Sequence, residues 1–554
     1  MGMELVIVGG VAGGATAAAR ARRIDEDAHI TLIERGPYVS YANCGLPYFI
    51  SRDIESRSSL LLQTPAGFDA RYAVKVMINT EVLELDRLGR RVRIRGAEGE
   101  TWLAYDKLIL SQGGSPIMPP LPGSEARHVF KLWTVPDMDR LHGYIEEEEP
   151  KTAVVVGGGF IGLEMAEAFQ KRGLKTTVVE LQPTVMGLMD RELGRLVGRE
   201  LEENGVQVLT GVGVKSVHAD AHTVELSNGQ QVPADLVLFS VGVRPELTLA
   251  KNAGLTIGPS GGLLVDEHLR TSDPAIWAAG DMVEVEHKVS GKRVRVPLAG
   301  PANRQGRIAA SNAMGLSVKY GGALGTSVVK IFEATAAMTG LSETAAKTAG
   351  FQVGVAVIHK DHHASYYPGG QELALAIVYD RSNGRLLGGQ AFGHAGVEKR
   401  IDVLATALHG RMTVHDLAEL DLSYAPPYSS ANDPVNLVAF VAENDLSGFS
   451  RLITAAELRQ ALITDRPPRV IDVRSKKEFA QAHLAGALHV PVDELRARVK
   501  ELPNDRPLVV YCRSGFRAHL ALRILAQRGF DDVRNLTGGW VSLEDEGGFD
   551  IERA

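Results

Sequence analysis

Residues 152–182, TAVVVGGGFIGLEMAEAFQKRGLKTTVVELQ, hold the pattern that decides the fold of this 554-residue chain. An apolar strand runs into a glycine turn, a helix follows, and a second apolar strand ends at Glu180. Gly157, Gly159 and Gly162 occupy the three positions of G-x-G-x-x-G, where missing Cβ atoms let a pyrophosphate reach the positive end of a helix. The acid accepts hydrogen bonds from a ribose and repels a 2′-phosphate. The stretch therefore predicts a nucleotide site that favours NADH over NADPH.

The N-terminus repeats this unit in a less regular form. ELVIVGG, VAGGATAAARARRI and HITLIERG read as strand, glycine turn with helix, and strand. Gly9 and Gly14 stand at the first and third glycine positions, Val11 stands at the second, and Glu34 ends the second strand. Two matches to the glycine fingerprint in one chain would rarely arise by chance. The sequence therefore predicts two dinucleotide-binding, Rossmann-like domains.

Two further apolar segments connect these domains. YDKLILSQGGSPIMPPLPG (105–123) and ADLVLFSVGVRPE (234–246) each end in small residues before a proline, and we interpret them as paired crossings between domains. SDPAIWAAGD then places Asp281 directly after a strand and Gly280. At such a position, near the start of a helix, a carboxylate can contact the ribityl or pyrophosphate part of a flavin. The simpler alternative is that Asp281 only caps the N-terminus of that helix.

Composition excludes several other classes of protein. The chain is 45% hydrophobic with a formal charge of −7, and it has no long basic block and no apolar stretch long enough to span a bilayer. Nucleic-acid and membrane binding are therefore not predicted, and no residue pattern predicts a metal site. Two distant cysteines make no disulfide framework, so we expect a cytoplasmic protein with free thiols.

Over roughly residues 1–445 the chain resembles the two-dinucleotide-fold flavoprotein disulfide reductases. The resemblance implies a split FAD domain (1–115 and 245–325), an inserted NAD(P)H domain (116–244) and an α+β dimerisation domain (326–445). It also implies FAD and NADH, with NADPH as the alternative donor, and a homodimer.

SYANCGLPY, around Cys44, resembles the S-F-x-x-C-G-x-P-Y segment of the single-cysteine branch of this superfamily. In that branch the matching cysteine faces the flavin and attacks a sulfur or oxygen electrophile as a thiolate. The resemblance makes Cys44 catalytic, with Ser40 and Asn43 as neighbouring substrate-binding residues. The alternative is a small buried structural cysteine.

The branch contains NADH oxidases and peroxidases, which form a sulfenic acid, and coenzyme A disulfide reductases, which form a mixed disulfide. SYYPGG (365–370) and LDLSYAPPYSSANDPVN (420–436) resemble stretches of the coenzyme A disulfide reductases. There, two tyrosines reach the thiol of the other subunit. Carried over, these are Tyr367 and Tyr424, with Tyr366 and Tyr428 as alternatives; simple aromatic packing at a dimer interface is the other interpretation.

Coenzyme A would need cations for its phosphates. The candidate residues lie at the end of the first helix and in GPANRQGR, and they are Arg20, Arg22, Arg23, Asn303 and Arg307. Arginine is also favoured at helix C-termini by the helix dipole alone, which is the competing explanation for the first three.

Residues 452–554 form a further α/β module around the second cysteine. Cys512 follows the apolar strand PLVVY and precedes a helix, so the backbone N–H groups of residues 513–517 point at its sulfur. IDVR, HLAGALHVP, the loop CRSGFR and LTGGW resemble rhodanese sulfurtransferases, which makes Cys512 a sulfur carrier and Arg513 and Arg517 substrate-binding. Cys-x5-Arg also resembles protein phosphatases, but the flanking segments favour the rhodanese.

The sequence thus predicts an α/β chain: two dinucleotide-binding domains, an α+β dimerisation domain and a C-terminal α/β rhodanese domain. The predicted activity is FAD-dependent reduction by NADH of a persulfide, polysulfide or coenzyme A disulfide, with a fused sulfurtransferase. An NADH oxidase or peroxidase is the alternative enzyme. A sulfur carrier or sensor with a vestigial reductase is the alternative from another class.

Overall fold

The computed structural model describes residues 2–553, and it divides into two compact units. The first unit comprises the chain up to residue 182 together with 205–325, and the second comprises 183–204 and 326 onward. The α/β class predicted from the sequence is confirmed. The domain boundaries predicted above stay predictions, and each unit is described here by itself.

The first dinucleotide-binding sheet is wholly parallel, because each strand is followed by a crossover. Its apolar runs are buried on both faces, with Leu5 to Val8 at most 5% exposed. In spatial order its strands are Ile276–Ala278, Lys107–Leu110, Glu4–Val8, His29–Ile33 and Val74–Met77. The helices that follow or flank them are Ala12–Arg22, Leu46–Ile50, Pro65–Tyr72, Thr248–Asn252 and Ala299–Ala313, with 3-10 turns Asn43–Gly45 and Arg57–Leu60.

Two small sheets complete this part of the first unit. The antiparallel one consists of Glu81–Asp86, Arg91–Gly96 and Gly99–Ala104. The mixed one consists of Leu263–Leu264, Val283–Glu286 and Arg293–Val294.

The second dinucleotide-binding sheet repeats the parallel arrangement. Its strands, in spatial order, are Gln207–Thr210, Lys175–Glu180, Thr152–Val156, Leu236–Phe239 and Val129–Phe130. Helices Val135–Glu148 and Phe160–Lys171 and the antiparallel strands Val214–His218, Thr223–Leu226 and Gln231–Pro233 accompany it. The two predicted crossings do pair: Gly114–Pro116 and Val243–Pro245 form an antiparallel ribbon.

The second unit contains two sheets and helix Arg191–Glu203, which lies in the chain between two strands of the nucleotide sheet. The antiparallel sheet has the order Ser327–Ile331, Ala334–Gly340, Leu386–Gly393, Glu372–Asp380 and Val353–Asp361. Its helices are Glu343–Ala349, Val397–His409, Val414–Ala418 and Pro434–Leu446.

The C-terminal sheet of this unit is parallel, as expected for a rhodanese. Its order is Leu452–Ile453, Val533–Leu536, Leu508–Tyr511, Arg469–Asp472 and Leu488–His489. The remaining elements are helices Ala455–Leu462, Lys476–Gln481, Val492–Arg498, Phe516–Ala526 and Gly539–Glu546, the 3-10 turn Val499–Glu501, and the ribbon Ala482–Leu484 with Ile551–Arg553.

Hydrogen bonds at Val357 and His359 join the C-terminal module to the edge strand Val353–Asp361, and His359 meets Ser542 at 3.1 Å. Val357 N–H donates to Thr537 Oγ1 at 2.8 Å, and its carbonyl accepts from Thr537 Oγ1 at 3.1 Å and from Gly538 N–H at 3.1 Å. An edge strand offers unpaired backbone groups, and here the module satisfies them. The module therefore packs at a defined position against the neighbouring sheet.

No helix in residues 2–553 is long and apolar enough to cross a membrane. Within the same residues one group of side chains has the spacing of metal ligands, formed by Glu192, His359 and Asp545. Ser542 hydrogen bonds both Glu192 and His359, and Arg199 pairs with Asp545. Because these protein partners occupy the group, we assign no metal to it.

Candidate active site and sulfur-transfer loop

The N-terminal glycine turn has the geometry that its glycines require. Gly9 adopts φ 101°, and a Cβ on Gly14 would lie 1.7 Å from the Gly9 carbonyl oxygen, so neither position tolerates a side chain. Glu34 lies beside the turn and accepts hydrogen bonds from the N–H groups of Gly10 and Gly36, both at 2.8 Å. The carboxylate is thus fixed at the end of its strand.

A cavity of about 370 Å³ opens above this turn. It is lined by the turn, by the end of the second strand, and by the loop after strand Lys107–Leu110. Gln112 Oε1 in that loop is buried without a hydrogen-bond partner. These groups fit the nucleotide part of FAD. The glycine turn can hold its pyrophosphate, and Glu34 and Gln112 can accept hydrogen bonds from its donors.

Asp281 lines the same cavity, and burial raises its pKa to about 6. Its predicted contact with the flavin stays a prediction. One detail of the prediction was wrong. No helix starts at Asp281, so it is not an N-cap: the chain continues into strand Val283–Glu286, and the adjacent Gly280 N–H donates to Gln305 on helix Ala299–Ala313 at 2.8 Å. A carboxylate with few protein partners at this place is available to a ligand.

The second glycine turn matches the first closely. Gly157 adopts φ 106°, a Cβ on Gly162 would lie 1.9 Å from the Gly157 carbonyl oxygen, and a Cβ on Gly159 would meet open space. Glu180 accepts hydrogen bonds from Gly158 N–H and Gln182 N–H, both at 2.7 Å. The open space at Gly159 is where the fingerprint lets a pyrophosphate approach the backbone.

Cys44 lies in the 3-10 turn Asn43–Gly45 and is exposed to solvent. Its thiol is 3.8 Å from Asn43 Oδ1, and Asn43 also lines the cavity. Ser40 adopts φ 47°, unusual for a residue with a side chain, and its N–H donates to the Gly10 carbonyl at 2.8 Å. This tie holds the Cys44 segment against the glycine turn.

The protein around Cys44 raises the pKa of its thiol, first by desolvation and then through Glu164 and Asp281. Glu164 is a functional candidate that sequence reasoning missed. Tyr48 donates to Glu164 Oε1 at 3.1 Å, and burial raises the pKa of Glu164 to about 7. The only signal was a charged residue two positions after Gly162, in the otherwise apolar beginning of helix Phe160–Lys171.

The residues predicted to bind the phosphates of coenzyme A fall into two groups. Burial lowers the pKa of Arg20, and the nearby positive charges of Arg307 and Arg23 lower it further. Asn303 accepts a hydrogen bond of 2.7 Å from Thr16 Oγ1. Arg22 is instead buried and donates to backbone carbonyls, including Tyr72 at 2.7 Å and Ala28 at 2.8 Å. Arg22 is therefore a structural residue and the prediction for it was wrong.

The tyrosines of the second unit pair differently from the sequence-based assignment. Tyr424 shares a hydrogen bond of 2.9 Å with Tyr366, whereas Tyr367 packs edge-on against His363. Tyr366 and Tyr424 are 74% and 46% exposed, and Tyr428 is also exposed. The hydrogen-bonded phenol pair is thus Tyr366 with Tyr424. Tyr367 packs edge-on against His363 and is still 42% exposed, so its phenol also faces solvent.

Cys512 is 1% exposed and lies between strand Leu508–Tyr511 and helix Phe516–Ala526. Gly515 N–H donates to its sulfur at 3.2 Å, and Gly515 has φ 103°. This is the loop geometry the sequence predicts for holding a thiolate or persulfide. The two loop arginines are both paired: Arg517 with Glu478 and Arg513 with Glu372.

Two glycine turns, a cavity that fits the nucleotide part of FAD, a thiol next to its lining residue Asn43 and a rhodanese loop define a flavin-dependent oxidoreductase with a sulfurtransferase module. Residues 3–306 match the model of the pyridine nucleotide-disulphide oxidoreductases, residues 326–434 match the dimerisation domain of that family, and residues 454–546 match the rhodanese-like domain. The chain belongs to the pyridine nucleotide-disulphide oxidoreductases, and its cofactors are FAD and a nicotinamide dinucleotide.

Several relatives share most of the chain. An NAD(P)H sulfur oxidoreductase (CoA-dependent) of Pyrococcus abyssi is 34% identical over 79% of this chain and 97% of its own length. The reduced CoADR-RHD of Bacillus anthracis is 39% identical, with a TM-score of 0.95 over 99% of this chain and 98% of its own. A NAD-dependent persulfide reductase from A. fulgidus is 38% identical, with a TM-score of 0.90 over 97% of this chain and 99% of its own.

Proposed function

We propose that the protein uses NADH to reduce the sulfur–sulfur bond of a persulfide, polysulfide or coenzyme A disulfide at Cys44, and that Cys512 carries sulfane sulfur. One observation carries this proposal: a solvent-exposed thiol at the flavin cavity and a buried thiol in a rhodanese loop occur in one chain that contains no other cysteine. Two relatives that match nearly the whole chain are described as CoADR-RHD and as a persulfide reductase.

The proposed chemistry at Cys44 uses the thiolate, although its surroundings raise the pKa of the thiol. The thiolate attacks the sulfur of a coenzyme A persulfide that bears the organic group, forming a mixed disulfide and releasing hydrosulfide. Two electrons and one proton then return Cys44 to the thiolate and release the thiol, so atoms and electrons balance. Flavin bound in the cavity supplies the two-electron chemistry between NADH and this sulfur.

Protons for this cycle have a nearby source. Glu164 has a pKa of about 7 and hydrogen bonds Tyr48, so it holds or releases a proton near neutral pH beside the thiol. The resemblance assigns the tyrosines that reach a second subunit to Tyr367 and Tyr424, with Tyr366 as an alternative, and the phenols of all three are exposed. The homodimer, the coenzyme A contacts at Arg20, Arg23, Asn303 and Arg307, and the cytoplasmic location remain predictions.

The test is stopped-flow reoxidation of the NADH-reduced enzyme by coenzyme A persulfide, coenzyme A disulfide, polysulfide, oxygen and hydrogen peroxide. We expect the sulfur substrates to reoxidise the wild-type protein fastest, and Cys44→Ser to lose this reaction while NADH still bleaches the flavin. Oxygen or peroxide reoxidising the enzyme as fast as the sulfur substrates would instead establish the NADH oxidase or peroxidase.

A further inference from the structure

The charge of Arg517, in the loop around Cys512, is already compensated. Its guanidinium donates two hydrogen bonds to Glu478, at 2.8 and 2.6 Å. Ser475, which caps helix Lys476–Gln481, donates to the same carboxylate at 2.7 Å from its hydroxyl. Arg517 is the main reason that the pKa of Glu478 falls to about 2. The carboxylate is therefore ionised under all working conditions, and the pair is neutral.

Arg513, the other loop arginine, is compensated from outside the module. Its guanidinium lies 2.7 Å from Glu372 Oε2, at the start of strand Glu372–Asp380. The two residues are 141 positions apart, and they meet because Thr537 and Gly538 fasten the module to Val357 on the neighbouring strand. The ion pair is exposed and adds little stability, but the negative charge stays beside Arg513.

The outer surface of the loop is apolar. Phe516 is 70% exposed and Leu520 is 41% exposed. They are four residues apart on helix Phe516–Ala526, so their side chains lie on one face next to the Cys512 loop. An exposed apolar face continuous with a buried nucleophile suits an apolar arm more than a small hydrated anion.

We propose that Cys512 takes its sulfur from an organic persulfide carried on a long uncharged arm and discriminates against thiosulfate, because both loop arginines are neutralised by Glu478 and Glu372. This deepens the proposed function and rests on it only in making Cys512 a sulfur carrier. The Cys512 thiolate attacks the terminal sulfur of R–S–SH, the S–S bond breaks, and Cys512–S–SH and the thiolate R–S⁻ result.

Thiosulfate would react in the same sense and leave as sulfite. It carries two negative charges to a thiolate, so an efficient site needs cations that are free to face it. Arg517 also interacts with the Cys512 sulfur. With each arginine matched by a carboxylate, however, the loop carries little net positive charge. A persulfide with at most one charge at its sulfur meets a smaller electrostatic barrier.

The experiment uses the full chain with Cys44→Ser, so that Cys512 is its single thiol. The initial rate of persulfide formation on Cys512 is measured by rapid quenching, alkylation and intact mass spectrometry, with pantetheine persulfide or thiosulfate as donor. Glu478→Gln keeps the helix cap while removing its charge, and Glu372→Gln removes the other. Glu494→Gln, an acid of the same module paired with Lys476, is the matched control.

We expect wild-type Cys512 to load from pantetheine persulfide at least about tenfold faster than from thiosulfate. Each Glu→Gln change at 478 or 372 should raise thiosulfate loading about tenfold, with less than about twofold change for pantetheine persulfide, and salt should erase the gain. Phe516→Ala should slow only the pantetheine donor. The inference is overturned if both donors load wild-type Cys512 equally fast, or if neither glutamate variant changes the ratio of the two loading rates. Flavin reduction is not measured, so these outcomes do not test the reductase activity.

Discussion

Tyr48 donates a hydrogen bond of 3.1 Å to Glu164, and the two side chains come from different elements: the short helix just after Cys44 and the helix that opens at the second glycine turn. Burial keeps a proton on Glu164 up to about pH 7. The redox thiol and the nucleotide turn are therefore linked by a group that titrates in the working range of an enzyme.

Glu164→Gln should remove a pH dependence of stability. Between pH 4.5, the usual pKa of a glutamate, and about 7, the unfolded chain has lost this proton and the folded chain keeps it. Stability of the wild type therefore falls as pH rises through that window, by up to about 3 kcal/mol. The variant should match the wild type near pH 4.5 and melt at a higher temperature at pH 8, by thermal unfolding. The exposed acid variant Glu202→Gln should follow the wild type.

The same substitution should make Cys44 more reactive at lower pH. Ionised Glu164 opposes formation of the thiolate and raises the pKa of Cys44, so a neutral glutamine lowers that pKa. In a Cys512→Ser background Cys44 is the single thiol, and its alkylation rate against pH reports its ionisation. A midpoint unchanged by Glu164→Gln would mean that desolvation alone sets the pKa.

Asp281→Ala should weaken flavin binding, because this carboxylate faces the cavity beside the glycine turn. The loss of a hydrogen bond to a charged acceptor corresponds to about ten- to hundredfold in affinity. The measurement is flavin content after gel filtration together with a titration of the stripped protein by FAD. Asp281→Asn, which keeps the shape, should lose less, and an alanine variant that retains full flavin would exclude the role.

Glu180→Ala should relax the preference for NADH. The acid is held by Gly158 and Gln182 at the strand end where it meets a ribose, and it repels a 2′-phosphate. We expect the kcat/KM ratio of NADH to NADPH to fall about tenfold in flavin reduction. Glu125→Ala, an exposed acid elsewhere in the first unit, is the control. If the wild type already prefers NADPH, nearby cations outweigh Glu180.

Cys512→Ser should separate the two activities of the chain. Reduction of preformed coenzyme A persulfide should change by less than about twofold, while transfer of sulfane sulfur from an organic persulfide to an acceptor thiol should vanish. Both rates are measured on protein with unchanged flavin content. A parallel loss of both would indicate an obligatory transfer of sulfur from Cys512 to Cys44.

Most of the local geometry of the sites could be predicted from short sequence patterns. The first and third glycines of each turn face a backbone carbonyl at distances that exclude a Cβ, and Glu34 and Glu180 make equivalent hydrogen bonds. The glutamate contacts and the third glycines depend on nearby residues, whereas the first glycines, Gly9 and Gly157, face the distant carbonyls of Ser111 and Ser240. Arg22 shows the limit, because its pattern as a cationic helix end does not reveal that Tyr72 and Ala73 take its hydrogen bonds.

The sequence by itself determined the two dinucleotide folds, the position of Cys44, the loop around Cys512 and the rhodanese-like domain, because each depends on a short segment with its own spacing of glycines, apolar residues or a cysteine. Only the tertiary structure decided which side chains meet across long separations: Tyr48 with Glu164, Tyr366 with Tyr424, and Arg513 with Glu372. These partners lie on different elements, and their contact depends on how those elements pack. Packing also sets the desolvation of Glu164, so a pKa near 7 is a property of the fold, while the carboxyl group itself is a property of the sequence.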